Sequence, residues 1–289
     1  MTDITQAPRG EIALNAVKKS FGEGAFAKDA VSNCSLTIEK GKLTVVIGPS
    51  GCGKSTLINL IAGYDRPTGG TITMDGKKVT GPGVDRLVVF QETSLMPWFT
   101  TYRNIISGPE ARGQLNAKTR ALADSLLERV GLGAFRSKYP SQLSGGMQRR
   151  AELARAMIND PAVMILDEPF RGLDAMTKVL MLEYFAQLFE EGRRTTLFVT
   201  TDIDEAVFLA DRLIIMCNKP TRVREIIDVD LPRPRRLADL VESNEANQIK
   251  MKALAILHSE AMKSFSAGSK SAADFVEAYS KRATGAAAH

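Results

Sequence analysis

Apolar residues follow distinct rhythms along this chain. Residues 43–47 (Leu-Thr-Val-Val-Ile), 163–166 (Val-Met-Ile-Leu) and 195–200 (Thr-Thr-Leu-Phe-Val-Thr) are nearly unbroken apolar or β-branched runs of strand length, which predicts strands covered on both faces. Helical spacing takes over at 55–62, where Leu57, Ile58 and Ile61 share a side, at 147–157, and at 115–130, where Leu122, Leu126 and Val130 recur every fourth residue. Shorter β-like runs broken by glycine turns occupy 11–47 and 71–80, and Thr71-Ile72-Thr73-Met74 runs into Asp75-Gly76, a hairpin signal. This order predicts an α/β fold: a parallel-sheet core, an antiparallel β subdomain, an inserted α-helical subdomain at about 95–158, and alternating strands and helices again over 159–218. Past 237, helical stretches at 245–265 and 272–282 flank 266–271, and 285–289 is expected to be disordered. The expected division is a main domain at 1–236 and a C-terminal helical extension at 237–289, too short for an independent domain. No internal repeat is visible, so the chain carries one such unit.

The first buried strand ends in Gly48-Pro49-Ser50-Gly51-Cys52-Gly53-Lys54-Ser55, and a helix follows. Gly48, Gly51 and Gly53 let the backbone turn so that successive N–H groups face phosphate oxygens, reinforced by the positive end of the helix dipole. Lys54 supplies a point charge to the β and γ phosphates, the Ser55 hydroxyl suits Mg²⁺, and Thr56 suits the α phosphate. A glycine-rich turn with a chance Gly-Lys-Ser is the bland alternative, and the strand–loop–helix order argues against it. Such a loop alone leaves kinases, GTPases and ATPases open.

Asp167 and Glu168 follow the apolar run 163–166, at the strand end where open α/β sheets hold ligands. Asp167 is placed to hold Mg²⁺ through water, and Glu168 to take a proton from, or orient, the water attacking the γ phosphate. Leu143-Ser144-Gly145-Gly146-Met147-Gln148 opens another helix with a second anion-facing start, which has no use inside one phosphate site and points to a nucleotide held between two protein copies.

These motifs together resemble the ATP-binding cassette family of transporter ATPases over about residues 10–230. The resemblance implies a P-loop (RecA-like) core binding ATP and Mg²⁺. It implies that Ser144, Gly145, Gly146 and Gln148 act on nucleotide held by a second ATPase subunit, as homo- or heterodimer, and that Asp174 in Arg171-Gly172-Leu173-Asp174 crosses that interface. Gln91 matches a glutamine that senses Mg²⁺ and attacking water, and Phe21 an adenine-stacking ring, with Phe26 a nearby competitor. Thr201 stands where the family has a histidine that contacts the γ phosphate, and the chain's two histidines are His258 and His289. A threonine hydroxyl is shorter and carries no positive charge. Either turnover is reduced, with Glu168 sufficing, or this chain is the binding half of an asymmetric pair.

Leu95-Met96-Pro97-Trp98-Phe99 follows Gln91 and suits either a socket for a partner helix or a plug for the helical subdomain's own core. With 226–235, it resembles the subfamily that energises uptake of nitrate, sulfonates, taurine and similar small anions. That narrower likeness implies transmembrane permease subunits, indirect work with a solute-binding protein, and a peripheral place on the cytoplasmic face of the inner (plasma) membrane. A non-transport cassette protein acting on DNA or the ribosome is the rival.

Composition adds bounds. The 289 residues, 44% hydrophobic, are enough for one large α/β core, and no apolar run nears the ~20 residues that span a bilayer. The start carries Asp3 and no apolar run, so no secretory signal is expected. Three scattered cysteines fit a reducing compartment. The net charge of +5 comes with interleaved signs and no basic–aromatic pattern, which argues against nucleic acid. The densest basic cluster, Arg233, Arg235 and Arg236, reads as a solvated proline-rich connector ahead of an anionic-lipid or partner contact.

Overall fold

The computed structural model describes residues 8–217 and 220–266. In chain order the elements are β1 (Ile12–Phe21), β2 (Lys28–Ile38), β3 (Leu43–Ile47), α1 (Lys54–Ala62), β4 (Gly69–Met74), β5 (Lys77–Lys78), β6 (Arg86–Val89), α2 (Thr101–Ala111), α3 (Ala117–Arg129) and α4 (Gly145–Met157). Then come β7 (Val163–Asp167), α5 (Ala175–Gly192), β8 (Thr195–Thr200), α6 (Ile203–Leu209), β9 (Arg212–Met216), β10 (Val223–Asp228), α7 (Leu237–Glu242) and α8 (Asn244–Ser266).

Two sheets carry the fold. One is four-stranded, in the order β2-β1-β4-β5, and antiparallel; the other is six-stranded, in the order β10-β9-β3-β8-β7-β6. Neighbours in the second are parallel except for β10, which runs antiparallel to β9 along one edge. Every residue of β3 and β8 is buried, the burial their unbroken apolar pattern predicts for strands covered on both faces. One apolar cluster lies between the two sheets and α1, and another packs α5, α6 and α8 on the opposite face. Phe170, Phe185 and Phe198 form the centre of the latter, with ring centroids 5.7 to 6.1 Å apart.

The helical segment α2–α4 holds a cluster of its own around Ile105, Leu126, Leu132 and Ala154. The buried face of α3 is Ala123, Leu126 and Leu127, and Leu122 is 39% exposed, because at 100° per residue the stripe centres one position later than the four-residue repeat implies. Side-chain caps from Thr100, Asn116, Ser144, Asp174 and Asp202 start α2 through α6 wherever α2 to α6 are helices, each accepting from a backbone N–H two or three residues on.

The C-terminal segment packs on the same molecule. Ala246 and Ala253 of α8 are fully within the core cluster of the main sheet, joined by Leu237 and Leu240 of α7. The expected helix at 272–282 and the disordered end at 285–289 lie outside the described residues.

In the basic cluster before α7, Arg236 is exposed, while Arg233 and Arg235 turn inward to partners in this chain. The buried Arg235 guanidinium donates to the carbonyls of Phe208 (3.0 Å), Ala210 (2.7 Å), Val229 (3.3 Å) and Leu231 (3.0 Å), fastening the extension to the C-terminal end of α6. Arg233 bonds Asp211 at 2.8 Å. Burial, with the neighbouring Arg233 charge second, lowers the Arg235 pKa to about 10, which still leaves it charged at neutral pH. Arg235→Met strands these carbonyls and is expected to cost roughly 3 kcal/mol, lowering Tm by about 5 to 10 °C in a thermal melt of the nucleotide-free chain.

Candidate nucleotide site

The parallel register brings the carboxyl ends of β3, β8 and β7 side by side, with Ile47 opposite Thr200 and Asp167 opposite Val199. The loop 48–53, Thr201, Glu168 and the segment after β6 that starts at Phe90 therefore share one edge of the sheet. That edge is where an open α/β sheet places a ligand.

Gly53 adopts φ +100° as the N-cap of α1, a left-handed conformation, and a Cβ there would also collide with the Thr221 hydroxyl. That hydroxyl donates to the Cys52 carbonyl and closes the loop from the far side. Lys54 is 6% exposed and folds back, its Nζ donating to the Gly48 carbonyl at 2.9 Å and the Pro49 carbonyl at 3.1 Å. Ser50, Gly51 and Ser55 are exposed and Thr56 is half-buried. Cys52 is fully buried, and burial pushes its thiol pKa up, so the folded chain shields it from alkylation.

Asp167 is half-buried and its carboxyl is raised above the ordinary range, first by burial and then by the adjacent Glu168 charge, while a hydrogen bond from Ser55 and the Lys54 charge oppose the rise. Glu168 has φ +42°, costly for a non-glycine residue, and its N–H donates to the Val199 carbonyl at 2.8 Å. Its carboxylate accepts from Arg171 Nη1 at 3.1 Å, and the same nitrogen lies 3.5 Å from Gln91 Oε1. Sequence reasoning missed Arg171 as a partner of both groups, although it stands in the segment singled out before Asp174.

Thr201 is exposed at the end of β8. The loop around it is fixed by its neighbours: the Thr200 hydroxyl donates to Glu205 at 2.6 Å and accepts from the Asp202 N–H at 3.0 Å. Lys178 of α5 reaches both Asp202 and Glu205 at 2.7 Å.

Ser144 and Gly145 are exposed at the start of α4, beside Leu173 and Thr177. Ser144 accepts from the Met147 N–H, and Asp174 accepts from the Thr177 N–H at 3.0 Å, so each caps its own helix. Gln148 donates its amide to the Pro140 carbonyl at 2.8 Å and the Leu143 carbonyl at 3.2 Å, which shapes the turn before Ser144.

A buried ion pair that the sequence did not announce ties α4 to the segment after β6. Arg149 bonds Glu152 at 2.6 Å and donates to the Phe90 and Gln91 carbonyls at 2.8 and 2.6 Å, while Glu152 accepts from Ser94 N–H at 2.5 Å. In sequence these residues look like an ordinary i, i+3 surface pair.

Phe21 is 50% exposed at the end of β1 with Lys19 Nζ 5.0 Å from its ring, and Phe26 is 85% exposed. Neither is a core ring, and both remain available for stacking. Trp98 is 69% exposed with its ring edge-on to Phe99, so it does not plug the helical segment.

A glycine-rich loop between a buried parallel strand and a helix, faced by a paired carboxylate at the next strand end but one, defines a P-loop nucleoside-triphosphate-binding protein. The chain belongs to the ABC transporter family, as an ATP-binding protein of that family: the family profile described as ABC transporter matches residues 31–171. It is 42% identical over 252 residues to the nitrate import ATP-binding protein NrtD of Synechococcus elongatus, covering 86% of this chain and 92% of that one. It is 40% identical over 224 residues to the aliphatic sulfonates import ATP-binding protein SsuB of Bacillus licheniformis, covering 78% and 87%. Among solved structures, a dimeric post-hydrolysis state of the ATP-binding cassette MJ0796 bound to ADP and Pi superposes with a TM-score of 0.66 at 30% identity, covering 76% of this chain and all of that one. Among the described residues no helix is long and apolar enough to cross a membrane.

Proposed function

We propose that this chain is the ATP-hydrolysing subunit of an importer for a small anion such as nitrate, a sulfonate or taurine. Its partners are a second ATPase subunit and transmembrane permease subunits at the cytoplasmic face of the membrane. The supporting observation is the shared edge that gathers loop 48–53, Lys54, Asp167, Glu168 and Gln91, in a chain similar over most of its length to nitrate and sulfonate import ATPases.

Loop 48–53 and Lys54 hold the phosphates, with Phe21 or Phe26 against adenine. The donors fit Mg²⁺: Asp167 is a carboxylate whose burial calls for a nearby cation, and it already hydrogen-bonds the Ser55 hydroxyl, which gives hard oxygen ligands side by side. Gln91 completes that set. When bound, Mg²⁺ offsets charge on the β and γ oxygens. Glu168 accepts the proton of the attacking water. Ser144, Gly145, Gly146 and Asp174 face the nucleotide of the second subunit, a reading supported by the exposure of Ser144, Gly145 and Asp174 at adjoining helix starts and by the dimeric state of the structurally similar cassette.

Thr201 adds no charge, so hydrolysis proceeds with Glu168 as the base and without an imidazole beside the γ phosphate, and is slowed. Arg171, 3.1 Å from Glu168, is the nearby cation on this edge.

The raised Asp167 carboxyl has a stability consequence. A carboxyl whose folded pKa exceeds its unfolded value binds its proton more tightly when folded, so stability declines as pH rises from the unfolded value through the raised one, and the deficit is complete above it. Asp167→Asn removes that deficit. At neutral pH it is expected to raise the Tm of the nucleotide-free chain by a few degrees and to abolish the further rise that MgATP gives the parent.

Isolation of the chain from native membranes tests the transport assignment. Multi-helix membrane subunits in stoichiometric yield support it, and cofractionation with ribosomes instead of membranes would contradict it.

A further inference from the structure

A cleft of about 760 Å³ lies at the opposite end of the core strands from loop 48–53, against the amino ends of β7 and β8 at Ala162, Met164 and Thr196. Its walls are apolar: Leu122 and Leu126 of α3, Leu153 and Met157 of α4, Phe185 and Phe189 of α5. The exposed Leu122, which the core of the helical segment does not use, is accounted for by this wall.

The polar lining is unbalanced. Arg9, Lys118, Arg129, Arg193 and Arg194 face two acids, Asp160 and Glu191. Asp160 is engaged by Arg9 at 2.7 Å and Arg194 at 2.8 Å, and Glu191 by Arg129. Lys118 and Arg193 are left without an ion pair among the described residues. Arg193 is also conformationally unusual. It ends α5 at φ +40°, its N–H donating to the Phe189 carbonyl at 2.6 Å, in the left-handed position that favours glycine, and Gly192 stands one residue too early to fill it. Arg193 is exposed, and an exposed cation lining an apolar cleft suits the head group of an amphiphile whose tail enters the cleft.

We propose that this cleft binds a single-chain fatty acid, its carboxylate at Arg193 and its tail along Leu122, Leu126 and Phe185. The volume lies in the range of small-molecule sites, and apolar walls with a few converging charges are their usual make-up. A cleft walled by α3, α4 and α5 is concave, which suits one free chain better than a membrane surface. It separates α3, in the segment that carries Ser144, from α5, which starts at Asp174. Given the proposed dimer, occupancy then alters the spacing of the two ends that meet the second subunit.

The binding itself is tested on the nucleotide-free chain, independently of any ATPase activity, by calorimetric titration with dodecanoate below its micelle concentration. Saturable binding of one dodecanoate per chain is expected. Arg193→Gly, which gives the turn the residue it favours, is expected to keep or raise Tm while weakening dodecanoate about tenfold or more, the worth of one charge-assisted contact. Leu122→Trp, which fills the wall from an exposed position, should weaken it comparably, and dodecanol should bind the parent no better than dodecanoate binds Arg193→Gly. Absence of saturable heat up to about 1 mM, or equal affinities in the parent, Arg193→Gly and Leu122→Trp, would overturn the assignment.

Discussion

Replacing Glu168 with Gln lowers steady-state ATP hydrolysis by about 10²- to 10⁴-fold while leaving MgATP affinity within a few-fold of the parent, because glutamine keeps the shape and hydrogen-bonding reach of the side chain but cannot take a proton. The geometry favours a large effect. Glu168 is held in a strained backbone conformation at the carboxyl end of β7, and its carboxylate accepts from Arg171, three residues on, whose guanidinium also lies beside Gln91 Oε1. Thr201 brings no imidazole to share the load. Thr201→His should therefore raise the parent rate, and it should not rescue Glu168→Gln. A parent rate that Glu168→Gln leaves untouched would mean that this residue is not the base. A parent with no measurable turnover, raised to an ordinary rate by Thr201→His, would instead support the binding half of an asymmetric pair.

Lys54→Ala is expected to weaken MgATP by about 10²-fold or more, the equivalent of roughly 3 kcal/mol for a charge proposed to meet two phosphates. The effect reaches beyond the lost charge. In the nucleotide-free chain the ammonium also ties down the Gly48 and Pro49 carbonyls, so alanine frees the backbone that must present its N–H groups. Equilibrium binding of a fluorescent ATP analogue measures this directly. An affinity within threefold of the parent would remove Lys54 from the phosphate site.

Features set by neighbours in sequence could be read from the chain alone. Loop 48–55, the apolar run into Asp167 and Glu168, and the hairpin at Asp75-Gly76 each depend on a few adjacent residues and on the strand or helix that flanks them. Features set by tertiary neighbours could not. Arg235 looked like part of a solvated basic run because its carbonyl partners at Phe208 and Ala210 lie 27 and 25 residues away. Glu152 carried no mark of burial, since a glutamate three residues from an arginine on a helix is ordinarily a surface pair. Strand β10 escaped because Val-Arg-Glu-Ile-Ile-Asp alternates too weakly to stand apart from the loops around it. Gln148 was assigned to ligand by its place in the motif, and only the turn at 140–143 reveals the carbonyls it serves.

The Arg149 and Glu152 pair also explains how one chain links its two half-sites. Gln91, on the phosphate side, has its carbonyl gripped by the helix whose first turn is Ser144 and Gly145.

The central claim is that each nucleotide is enclosed by loop 48–55 of one molecule and the Ser144–Gly146 helix start of another. Sedimentation of Glu168→Gln with its natural membrane and ATPase companions, with and without saturating MgATP, tests it most directly. The account predicts a cassette dimer that forms only with MgATP and is lost when Gly146→Asp is added, since aspartate places a negative charge and a Cβ beside Thr177 at the phosphate-facing turn. A Glu168→Gln protein that binds MgATP and stays monomeric under those conditions would contradict it.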